Sequence, residues 1–102
     1  MDREIIEELS AGNTAAVLTT ILETRGSTPR KAGTQMLVRP DGTCRGTIGG
    51  GRAEYDIRQQ ALEVMKTKKN TVGTVTLCDH EAMAEGMVCG GTMQVLFQYI
   101  QA

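Results

Sequence analysis

Hydrophobic positions follow two rhythms along this chain. In residues 2–11, Ile5, Ile6 and Leu9 share one side of a 3.6-residue period, and Gly12 follows as a stop, which predicts a short helix. Residues 15–24 read Ala-Ala-Val-Leu-Thr-Thr-Ile-Leu-Glu-Thr, β-branched and apolar, and predict a buried strand. Residues 34–39 and 43–48 flank Pro40-Asp41-Gly42, a turn signal, and predict a hairpin. Helical spacing returns over 52–68, where Ile57, Ala61, Val64 and Met65 fall on one face and Lys66, Lys68 and Lys69 gather at the end that a helix dipole prefers for cations. Residues 71–77 and 92–100 predict two more strands, with a glycine-bearing loop between them that holds His80, Cys89, Gly90 and Gly91. The sum is an α+β fold: about five mostly antiparallel strands in one sheet, with two helices.

Composition narrows the class. The 102 residues suffice for a single domain, taken as residues 1–102. One Phe, two Tyr and no Trp imply an aliphatic core, in which six Met help to fill gaps. So few aromatics also leave room for self-association to complete the core, and a homodimer is expected. The net charge of −1 argues against a nucleic-acid or membrane-surface binder, and no apolar run approaches the ~20 residues of a membrane span. Three cysteines cannot all pair within one chain, and the charged start Met1-Asp2-Arg3-Glu4 is unlike a signal peptide, so reduced thiols and a cytoplasmic location are expected. Charge is uneven: residues 1–24 sum to −4, residues 25–52 to +5 and residues 53–102 to −2. The basic middle is also where turn residues and glycines cluster.

Three segments could carry chemistry. In Gly26-Ser27-Thr28-Pro29-Arg30 a strand gives way to two hydroxyls and a guanidinium, the donors that a phosphate or carboxylate needs, although the same residues would also make a plain polar turn closed by Pro29. In Gly46-Thr47-Ile48-Gly49-Gly50-Gly51-Arg52 three consecutive glycines precede a helix, whose free N–H groups and partial positive charge suit an anion, with Arg52 adding a cation. The alternative is a tight strand-to-helix connection. The run matches neither GxxxxGK[ST] nor GxGxxG. Glu54 falls in the first helical turn, where the dipole favours a carboxylate. In Gly86-Met87-Val88-Cys89-Gly90-Gly91 a thiol sits among glycines, open to a soft metal or a sulfur donor, or is a small half-buried residue before a strand. Cys78-Asp79-His80 with Cys89 fits no zinc spacing, and one His supports no Ser-His-Asp triad.

Taken in order, Gly26-Ser27-Thr28-Pro29-Arg30, Gly33 with Met36-Leu37-Val38, Asp41-Gly42, Gly46-Thr47-Ile48-Gly49-Gly50-Gly51 with Glu54, and Gly86-Met87-Val88-Cys89-Gly90-Gly91 resemble the N-terminal domain of the XdhC/CoxI family over residues 14–100. These are accessory factors for xanthine dehydrogenase and related molybdenum hydroxylases. The resemblance implies a chaperone, not an enzyme. It would bind the molybdenum cofactor (molybdopterin) as cargo, protect it during sulfuration and hand it to the hydroxylase subunit, with a cysteine desulfurase as a further partner. It implies a pocket of Ser27, Thr28, Arg30, Gly49, Gly50, Gly51, Arg52, Cys89 and Gly90. Many members carry Cys directly after the three glycines, where this chain has Arg52, so a thiol role there does not carry over. Members commonly continue into a Rossmann-like domain, and the resemblance here covers only the part before it. Two rival readings remain at this level: a sulfur-transfer or redox enzyme with Cys89 as nucleophile, and an interaction module that holds no small ligand. The leading reading requires Arg30, Gly50 and Cys89, distant in sequence, to converge.

Overall fold

A computed structural model describes residues 3–12, 15–26, 28, 30–48, 51–77 and 91–101. The elements are α1 (Arg3–Ala11), β1 (Ala16–Gly26), β2 (Gln35–Val38), β3 (Cys44–Gly46), α2 (Gly51–Thr67), β4 (Thr71–Thr76) and β5 (Gly91–Ile100). The five strands form one sheet in the order β3-β2-β1-β5-β4, and every neighbouring pair is antiparallel. The α+β architecture expected from the sequence is the one observed.

Side-chain alternation in the strands builds two cores. Val17, Ile21, Met36, Val38, Met93, Val95 and Phe97 point to one face and meet Ala53, Ile57, Ala61 and Val64 of α2. The intervening Leu18 and Leu37 point to the other face, where Ile5 of α1 covers them. Thr19 lies on the α2 side with no solvent exposure, and its hydroxyl donates to the carbonyl of Met36 at 2.7 Å, so burying it leaves no polar group unpaired. Gly73 of β4 permits α2 to lie close: a Cβ there would press on the Gln60 amide and come within 3.1 Å of Phe97.

The alternation changes phase at Leu22. Ile21 pairs with Val95 and Glu23 with Gln94, so Leu22 is an extra residue, 47% exposed, that makes a β-bulge. Beyond it Thr24 takes the α2 side opposite Met93, while Glu23 and Arg25 share the other side and pair at 3.3 Å. The strand continues to Gly26, two residues past its predicted end, because β5 supplies partners as far as Gly91. The second hairpin strand, expected to run to residue 48, stops at Gly46. That residue has φ +86°, and the chain then turns toward α2 with Ile48 fully buried.

A charged cluster fastens α1 to the sheet. Glu8 accepts from Arg39 at 2.7 and 2.8 Å and from Arg45 at 3.2 Å, and Glu4 lies 3.4 Å from Arg45. The hydrogen bond from Arg39 holds the Glu8 carboxyl below the usual carboxylate range, against the opposing effect of burial.

Two outcomes follow for stability. Gly46→Ala would force a side chain into the left-handed region and to 3.0 Å from the Gln35 carbonyl, so urea denaturation should show a loss of about 2 kcal/mol. Because the Glu8 carboxyl titrates below its unfolded value, its contribution is full above that value and fades as pH falls through the folded one. The stability gap between the wild type and Glu8→Gln, measured by thermal unfolding from pH 7 down to pH 3, should therefore be widest near neutrality and close on the acid side.

Candidate functional site

The topology sorts the loops by end. In the antiparallel order, the C-terminal ends of β1, β3 and β4 and the N-terminal ends of β2 and β5 lie at the same end of the sheet. All three glycine segments leave or enter the sheet there. Two of them are joined directly: Gly26 pairs with Gly91, and on the other side of Gly91 its carbonyl accepts from the N–H of Leu77 at 2.8 Å. The first segment therefore begins, and the third ends, on adjacent strands. The turn at residues 39–43 and the α2–β4 connection lie at the far end.

Each predicted site residue has its own outcome. Ser27, Gly49, Gly50, Cys89 and Gly90 lie outside the described residues, as do Cys78 and His80. Thr28 is half-buried, and its hydroxyl donates to the Arg30 carbonyl at 3.1 Å, so this donor closes the turn itself. The turn is anchored where Ile21 exchanges backbone hydrogen bonds with Gly33 and Thr34 at 2.7 and 2.9 Å. Arg30 is exposed, and neither it nor Lys31 forms an ion pair with a described residue. Gly51 and Arg52 open α2 and are exposed. The Arg52 side chain, 66% exposed, spends its Nε on Asp56 one turn along at 3.2 Å.

Glu54 has a defined structural task. Its carboxylate accepts from the Thr47 hydroxyl at 2.7 Å and from the Ile48 N–H at 3.2 Å. A first-turn carboxylate reaching back to the incoming chain is the logic of a capping box, and it fixes how the glycine run enters the helix. The sequence placed Glu54 where the helix dipole favours a carboxylate; the reach back to Thr47 and Ile48 is added by the structure.

The basic middle of the sequence divides in space. Arg39 and Arg45 are neutralised by Glu8 and Glu4 under α1, Arg25 pairs with Glu23, and Arg52 pairs with Asp56. Arg30 and Lys31 remain, both in the β1–β2 loop at the end of the sheet that carries the glycine segments. Lys31 went unnoticed as a site residue in the sequence, and its adjacency to Arg30 was the available signal. Cys44 lies on the hairpin at the other end, half-buried against α2, where burial pushes its thiol up despite the opposing charge of Arg58, which leaves it a poor nucleophile. Among the described residues no three His, Cys, Asp or Glu side chains are grouped to hold a metal, and no helix is long and apolar enough to cross a membrane.

The chain belongs to the XdhC and CoxI family, whose model matches residues 9–78. It is 38% identical over 88 residues to the uncharacterized protein YqeB of Escherichia coli (strain K12), covering 86% of this chain and 16% of that protein. It is 43% identical over 63 residues to the molybdenum cofactor insertion chaperone PaoD of the same organism, covering 62% of this chain and 20% of that one. The fold is shared with the crystal structure of a xanthine dehydrogenase from Bacillus halodurans, with a TM-score of 0.78 and 28% identity over 96% of this chain and 30% of that one. The chain thus spans a sixth to a third of the length of these relatives. The family match ends before Gly86–Gly91, so the third segment rests on its own residues and on its place beside Gly26.

If Glu54 is the cap, Glu54→Ala should cost about 1 kcal/mol in urea denaturation and raise amide exchange at Ile48 and in the first turn of α2, with the rest of the sheet unchanged.

Proposed function

We propose that this chain is a cytoplasmic accessory protein, not an enzyme, which binds the molybdenum cofactor and assists its sulfuration and insertion into a molybdenum hydroxylase of the xanthine dehydrogenase type. Residues 1–102 act in it as one cargo-binding domain. The observation that carries the reading is the 43% identity to PaoD, a molybdenum cofactor insertion chaperone, within a shared family.

The donor set suits such a cargo. The pterin cofactor bears a phosphate, and Arg30 and Lys31 are cations without an ion-pair partner among the described residues. They lie at the end of the sheet where α2 presents its first-turn N–H groups. The proposed pocket takes Ser27, Thr28, Arg30, Gly49, Gly50, Gly51, Arg52, Cys89 and Gly90, with Lys31 added. In this arrangement Arg30 and Lys31 hold the phosphate, the glycines allow its approach to bare backbone, and the Cys89 thiol faces the sulfur-ligated metal of the cargo. Thr28 serves by shaping the turn that aims Arg30. The hydroxylase subunit receives the cargo, and a cysteine desulfurase supplies the sulfur.

The test mixes purified protein with isolated cofactor and measures the molybdenum that remains with the protein after gel filtration. The wild type should retain it. The double variant Arg30→Ala, Cys89→Ser should lose about tenfold or more in affinity, the scale of one lost charge-assisted hydrogen bond, with an unchanged circular dichroism spectrum. Equal molybdenum on both proteins, or none on either, would overturn the proposal.

A further inference from the structure

The two edges of the sheet are built differently. The β3 edge is three residues long and ends at a glycine with φ +86°. Its Arg45 is tied to Glu4 and Glu8, and α1 packs beside it. Such shortening, charge and cover are the usual protections of an exposed edge. Among the described residues the β4 edge has none of them. Thr71-Val72-Gly73-Thr74-Val75-Thr76 contains no charge and no proline, pairs with β5 in unbroken register, and is last in the strand order.

The bond from the Leu77 N–H to the Gly91 carbonyl fixes the phase of this ladder. Residues 71, 73 and 75 share its phase and turn their backbone groups toward β5. Val72, Thr74 and Thr76 turn theirs outward, where no described strand meets them. Their side chains lie on the face opposite α2, and Val72 is 53% exposed. Leu22 and Leu96 lie on the same face, outside the cluster of Ile5, Leu9, Ala16, Leu18, Leu37 and Ile100 that α1 helps to form.

We propose that β4 is a homodimer interface, pairing antiparallel with β4 of a second copy about a two-fold axis at Thr74 to give a continuous ten-stranded sheet. The strand is complementary to itself in this arrangement. Thr74 faces its own equivalent, Val72 faces Thr76, and Gly73 faces Val75, so each cross-strand pair is Thr–Thr, β-branched–Thr or small–large, and none brings like charges together. The three outward residues of each copy would form about six backbone hydrogen bonds. Charge selects the antiparallel sense. Lys66, Lys68 and Lys69 precede β4, so antiparallel pairing sends the two lysine clusters to opposite ends, about 20 Å apart and well beyond the ~8 Å screening length, whereas parallel pairing would place them side by side. An uncharged Thr/Val edge offers a foreign charged strand nothing to select it, and offers an identical strand a full match.

Sedimentation equilibrium of the 102-residue chain should show its mass rising with concentration from 11.0 kDa to twice that value. Thr74→Pro removes an outward N–H that the β4–β5 ladder does not use, and Thr74→Lys sets two cations face to face. Both variants should stay monomeric at every concentration with a wild-type circular dichroism spectrum. In the wild type, the amides of Val72, Thr74 and Thr76 should exchange more slowly as concentration rises, while those of β2 should not change. A wild type that stays monomeric, even one whose edge accepts a strand from another protein, overturns the proposal. So does a dimer that survives Thr74→Lys, or exchange at these three amides that ignores concentration. If Thr74→Pro fails to fold, Thr74→Lys and the exchange data decide.

Discussion

The β1–β5 ladder is the constraint on which the rest of the molecule depends. These strands are the longest in the sheet and lie near its middle, so each carries one outer hairpin or edge strand, and together they form the floor on which α2 packs. Because they are antiparallel and paired out to Gly26 and Gly91, two glycine segments some sixty residues apart in sequence begin and end on neighbouring strands. Bringing such distant stretches together costs loop entropy, and here an apolar ladder containing Val17, Ile21, Val95 and Phe97 offsets it. Nothing in either segment has to supply that energy, so both are free to be rich in glycine and polar groups.

The second segment is flanked by anchors of a different kind. The residues on either side of its glycine run are held by the core. Ile48 is sunk in the core on one side, and α2 is anchored through Ala53 and Ile57 on the other, with Glu54 stitching helix to incoming chain. The charges follow the same economy. Four of the six cations in residues 25–52 hold the fold together or pair with a near neighbour, which leaves Arg30 and Lys31 as the local source of positive potential at the glycine end. A basic stretch in sequence is therefore a weaker guide than the pairing of each cation.

Much of this was legible in the residues. The helices at 3–11 and 51–67 and all five strands lie within two residues of their sequence-read bounds, because period and turn chemistry agree locally, as at Gly12 and at Pro40-Asp41-Gly42. Gly46 ended a strand early because a positive φ is invisible in a string of letters. Arg39 and Arg45 counted toward the basic middle because their partners, Glu4 and Glu8, stand more than thirty residues away. The double use of Glu54 was half visible: its place in the first turn could be read, but its reach to Thr47 and Ile48 is a contact that no local pattern encodes. The common end shared by the three segments follows from strand order, which no local pattern encodes.

The bulge at Leu22 works as a phase converter between two parts of one strand. Upstream of it the side chains keep step with β2 and the core; downstream they keep step with β5 alone, displaced by one face. The residues that enter the first glycine segment therefore inherit their aim from this single inserted position. A chain one residue shorter there could keep every hydrogen-bonded neighbour of the inner sheet and still deliver that loop upside down. Length at this point in the polypeptide thus acts as a geometric setting, separable from the identity of the side chain that occupies it.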